Sequence, residues 1–124
     1  MKRRASLAAL LMIPTAVTFQ RAMAQSDTRL TKKELRDLIM MAKTKADHQR
    51  IADHYKAEAS RLIEEAKDHE EMAEMYRKHP PYLASKHPAA IGYQHCRGIA
   101  QRLRQAAEKT NALAGMHETM AKAA

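Results

Sequence analysis

The sequence predicts an all-α fold, a long antiparallel helical hairpin of coiled-coil type with a shorter helix ahead of it. No Gly or Pro interrupts the chain from Lys32 to Lys78, and these are the two residues that most strongly break a helix interior. Steps of alternately three and four residues then pick out two seams. One runs His48, Ala52, Tyr55, Ala59, Leu62, Ala66, His69, Ala73, Tyr76, and the other Ala89, Gly92, Cys96, Ile99, Leu103, Ala106, Thr110, Leu113, His117. Read in opposite directions, partners across the two lists always sum to 165. A constant sum is what two antiparallel helices joined near Tyr82 and Leu83 require. Large residues are expected to meet small ones, as in Ala52 with Leu113, Ala66 with Ile99 and Tyr76 with Ala89.

Residues 1–24 carry the parts of a cleaved signal peptide: Lys2-Arg3-Arg4, an apolar run from Ala5 to Phe19, and Ala22-Met23-Ala24 as a cleavage site. The run is shorter than the ~20 residues that span a bilayer, and Pro14 interrupts it, so no stable membrane anchor is expected after cleavage. The expected location is periplasmic or secreted. Four of the 22 basic residues lie in this leader, so the remaining 25–124, a single helical domain, carries a net charge of +4 rather than +8. Such a chain has no Trp and no Phe after residue 19. Its core must come from Ala, Leu, Met and Tyr, which is thin for this size and points to a homodimer or a partner helix.

Thr31-Lys32-Lys33-Glu34 reads as a capping box that opens the first helix, over about 32–43. Thr44 is β-branched and marks a bend or short turn before a second helix over 45–78. The segment 79–87, containing Pro80 and Pro81, is a loop, and Pro88 suits the first turn of a third helix over 88–121. Gly92 falls opposite Ala73, where a missing side chain would permit close approach. The second helix is acidic and the facing part of the third is basic through Arg97, Arg102, Arg104 and Lys109, which favours this pairing. Positive charge offset within the fold leaves no continuous basic surface, and four tyrosines are too few for a stacking platform, so nucleic acid is not an expected partner.

Seven His, six Met and one Cys in residues 25–124 supply the soft and borderline donors that suit copper, or zinc where thiolate takes part. The register pairs them in two layers. His69 faces Cys96, with His95 and Met72 beside them, and His48 faces His117, with Met120 one turn on. His48, His69, Met72, His95, Cys96, His117 and Met120 are therefore the candidate metal ligands. A single Cys excludes an internal disulfide. The alternative is that the histidines are polar layers that fix register or respond to pH in an envelope structural or stress-helper bundle. His54, His79 and His87 fall outside both layers and are expected to be exposed. Cys-x-x-Cys-His is absent, which leaves only a noncovalent haem conceivable between seam imidazoles. No residue is placed to orient a Cys96–His95 pair for nucleophilic chemistry, and a hairpin offers no concave substrate pocket, so no enzyme activity is expected.

Overall fold

The computed structural model describes residues 29–78 and 88–124. The leader with its cleavage site, the 79–87 segment, His79 and His87 lie outside the described residues. What is described is helical, with no strand: α1 (Lys32–Met41), α2 (Lys45–Lys78) and α3 (Pro88–Ala123).

α1 begins as its sequence dictates. The Thr31 hydroxyl accepts from the Glu34 amide at 3.2 Å, and the Glu34 carboxylate accepts from the Thr31 amide at 2.8 Å, so two otherwise unpaired donors are satisfied reciprocally. The helix stops at Met41, two residues before the expected end. Asp47 is the reason: its Oδ2 accepts from the amides of Lys43 and Thr44 at 3.1 and 3.0 Å. The Asp47 amide in turn donates to the Thr44 hydroxyl at 3.1 Å, a second capping box that starts α2. The break expected at Thr44 is thus a helix start.

After this turn α1 and the residues before it lie back along α2. Arg29 pairs with Glu58 at 3.1 Å, and the Leu30 amide donates to His54 Nδ1 at 3.0 Å. His54, expected to be exposed, is therefore half-buried and anchors the lead-in. Ile51, on the same face of α2 one turn away, is the only large side chain among the described residues with less than 2% exposure. No α1 residue is itself buried, and Met40 and Met41 are 85% and 73% exposed.

α2 and α3 lie side by side and antiparallel. Their register is fixed by contacts along the whole length: His48 with His117, Lys56 with Glu118, Arg104 with Glu70 at 2.7 Å, and Tyr76 over Gly92. The helices touch through alanines at every seventh position, Ala52, Ala59, Ala66 and Ala73 against Ala100, Ala107, Ala114 and Ala121, all 2% exposed or less. On α2 this is the expected seam. On α3 half of it is displaced by one residue: Cys96, Leu103, Thr110 and His117 keep their places, but Ala100, Ala107 and Ala114 replace Ile99, Ala106 and Leu113. Ile99 and Leu113 are 36% and 41% exposed, so the large-on-small layers expected for them are not formed. A run of Cβ methyls on both helices lets the axes approach closely, and bulkier side chains are then moved to the flanks. Gly92 does allow a close approach, but that of the Tyr76 ring.

Candidate functional site

At the open end of the hairpin the Nδ1 atoms of His48 and His117 stand 3.2 Å apart, with ring centroids 5.5 Å apart. Tyr55 closes one side, its ring centroid 6.1 Å from that of His117. His117 is 7% exposed. Burial, and to a lesser degree the neighbouring His48, push its pKa below the ordinary imidazole value. A neutral imidazole is the form that can donate a lone pair to a metal or accept a proton from its neighbour. Met120 sits one turn beyond His117, partly exposed.

Three heptads away on each helix the same positions hold His69 and Cys96. Because the register is constant, these two occupy a layer equivalent to that of His48 and His117. Cys96 is buried, and His69 Nδ1 is buried with no hydrogen-bond partner among the described residues. Met72 follows His69 by one turn and is exposed to the same extent as Met120, 38% against 39%.

His95 does not join this layer. Its side chain is exposed, since adjacent helical residues project about 100° apart. Among the described residues no group of three or more His, Cys, Asp or Glu side chains is gathered so as to hold a metal ion. The expected convergence of His69, His95 and Cys96 is therefore not made. What the hairpin presents is one imidazole pair in contact, His48 with His117, and three heptads away an equivalent layer with a buried Cys96 and a His69 whose Nδ1 meets no partner among the described residues. Met120 and Met72 each follow by one turn.

The two layers are related by an internal repeat that the seam pattern alone did not expose. Displacing α2 by 48 positions superimposes Ile51-Ala52 on Ile99-Ala100, Ala59 on Ala107 and Ala66 on Ala114. The same shift lays His69-Glu70-Glu71-Met72-Ala73 on His117-Glu118-Thr119-Met120-Ala121. The Lys56–Glu118 bridge maps onto the Arg104–Glu70 bridge. α2 and α3 are thus related by a pseudo-two-fold axis perpendicular to the hairpin, which exchanges the ends. The signal was present in the string His-Glu-x-Met-Ala, which occurs twice.

The chain matches no protein-family model, and neither a curated protein nor a solved structure shows significant similarity to it. No described helix is long and apolar enough to cross a membrane.

Proposed function

We propose that this chain is an exported, non-catalytic helical protein that binds a transition metal, copper foremost, for storage, buffering or delivery. The observation that carries the reading is the 3.2 Å separation of His48 Nδ1 and His117 Nδ1. Two nitrogens bound at 2.0–2.1 Å to one tetrahedral ion stand about 3.3 Å apart, so the pair already has the spacing of two corners of such a site. Burial of the His117 ring and its depressed basicity act in the same direction, because protons compete with metals for these nitrogens. Met72, Met120 and Cys96 are soft donors at both layers, which favours copper over harder ions, with zinc the alternative. A macrocycle has no space between rings this close, which disfavours haem. Export rests on the leader sequence.

A second reading is favoured by the same pair. One neutral imidazole donating to the other gives a hydrogen-bonded polar layer that fixes register in an envelope structural or stress-helper bundle. Thermal unfolding with and without copper or zinc separates the two. An ion at a hundredfold its Kd adds about 2.7 kcal/mol, a rise of about 10–20 °C for a domain this small. His117→Ala should abolish most of that rise, while His95→Ala should leave it intact. A midpoint indifferent to both ions would leave only the structural reading.

A further inference from the structure

α1 has one face on the hairpin and one in water, and the two differ in kind. Leu35, Leu38 and Ala42 are half-buried toward α2, the one element that α1 meets. Lys32, Lys33 and Arg36 are exposed, and helical spacing sets them on one outward stripe with Met40. The stripe ends in Ile39, Met40 and Met41, which are 43%, 85% and 73% exposed. The last two are the most exposed large apolar side chains among the described residues. Lys43 and Lys45 follow at once, in the turn and at the start of α2, and are exposed as well.

None of Lys32, Lys33, Arg36, Lys43 and Lys45 has an ion-pair partner among the described residues, whereas Lys56, Arg61, Lys67, Arg77 and Arg104 of the hairpin are each paired with a glutamate. Of the carboxylates nearby, Glu34 is tied to the Thr31 cap and Asp47 to the amides of Lys43 and Thr44. That leaves Asp37 to offset the stripe. Residues 32–45 hold five basic and two acidic side chains, a net charge of +3.

The shape and charge of this face distinguish between occupants. A single helix face is convex, and its apolar tip projects. A folded partner would have to supply a cavity for that tip. A lipid surface supplies hydrocarbon without any matching of shape, and its anionic headgroups suit cations on long flexible stems. A second copy set face to face would bring five cations against five. No described helix is long and apolar enough to cross a membrane, so such a contact is peripheral and reversible.

We propose that the outward face of α1 is a docking surface for anionic phospholipid, with Ile39, Met40 and Met41 entering the headgroup boundary and the five cations lying on the phosphates. α1 stays on α2 through Leu35 and Leu38, so the hairpin is held at the surface without unfolding. The histidine layers take no part, and the docking surface stands or falls separately from the metal reading.

Flotation with vesicles tests it, using residues 25–124, which hold every contact described above. Binding is expected to equimolar phosphatidylglycerol and phosphatidylcholine but not to phosphatidylcholine alone. It should be lost near 1 M salt, where charges are screened beyond about 3 Å. Arg36→Glu/Lys43→Glu should weaken it about tenfold or more, since each cation at such a surface contributes about a factor of five. Asp37→Lys should strengthen it, an outcome that a misfolded variant cannot give. The chain has no Trp, so Met40→Trp reports on the tip directly. Its emission should shift to the blue with anionic vesicles, while that of Met75→Trp, at a position 69% exposed on the acidic α2, should not. No flotation with phosphatidylglycerol, binding indifferent to Arg36→Glu/Lys43→Glu, or an unshifted Met40→Trp emission overturns the proposal. Binding to polyglutamate as tight as to vesicles, and unchanged by Met40→Ser/Met41→Ser, would overturn it in favour of an acidic protein partner. A dimer that ignores lipid and is dissociated by Arg36→Glu/Lys43→Glu would overturn it in favour of a second copy.

Discussion

The ring of Tyr76 lies against the backbone of Gly92, so that a Cβ added at Gly92 would fall 2.7 Å from ring atoms Cε1 and Cζ. Such a contact cannot persist, and the ring, 43% exposed, would have to swing away. Removing a glycine from a helix interior otherwise gains up to ~1 kcal/mol. Gly92→Ala is therefore expected to be stabilising in a Tyr76→Ala background and neutral or destabilising with Tyr76 present. The coupling should be of the order of 1 kcal/mol, read by a double-mutant cycle in urea. Equal effects in both backgrounds would show that the two residues do not meet.

The alanine seam makes a second prediction. Ala66→Leu and Ala107→Leu each place a large side chain where 2% or less of the residue is exposed, and should cost about 1–3 kcal/mol by overpacking. Ala112→Leu, on the exposed face of α3, should change little. If all three were tolerated alike in denaturant unfolding, the alanines would not be the contact line.

These residues also mark what the sequence made legible. The antiparallel pairing and the sum of 165 could be read because His48, Cys96, Leu103, Thr110 and His117 belong to the seam under either phase of the three-four step. The intervening α3 positions could not, because a preference for large apolar residues at a seam selects Ile99 and Leu113 over the neighbouring alanines. In one isolated hairpin the closest approach decides instead, and alanine permits it. The exposure of His95 followed from the same geometry that buries Cys96, yet adjacency in sequence had suggested a shared site. The position of the lead-in on His54 and Glu58 was not legible, since one hydrogen bond and one ion pair between distant residues set it.

The turn between α1 and α2 gives a third prediction. Thr44→Ala removes the hydroxyl that accepts from the Asp47 amide, and caps of this kind are worth about 1 kcal/mol. The loss should be local. Amide exchange should accelerate in residues 32–47 while the core of α2 and α3 stays protected, since few contacts join α1 to the hairpin. Asp47 has its pKa depressed by the Thr44 and Lys43 amides. Its contribution is thus present above the ordinary carboxyl value of 3.8 and declines as pH falls through the lower folded value. Uniform acceleration across α2 and α3 would instead make the turn part of one cooperative unit.

Two histidines set a separate acid response. His117 has its pKa lowered by burial and then by His48. His54 has its pKa lowered by burial foremost, with Glu58 opposing and Arg29 adding to the shift. For both, the unfolded chain takes up a proton near the ordinary value of 6.5, before the folded chain does. Stability is therefore complete above that value and is lost progressively as pH falls below it toward the folded values. Protonated His54 can no longer accept from the Leu30 amide, and protonated His117 repels any charge on His48. The thermal midpoint should fall between about pH 7.5 and pH 5, ahead of most carboxylate titration. His54→Gln/His117→Gln should flatten that part of the profile while leaving the decline below about pH 4 unchanged. A midpoint constant through the histidine range, or an undiminished slope in the double variant, would show that neither imidazole couples its proton to the fold.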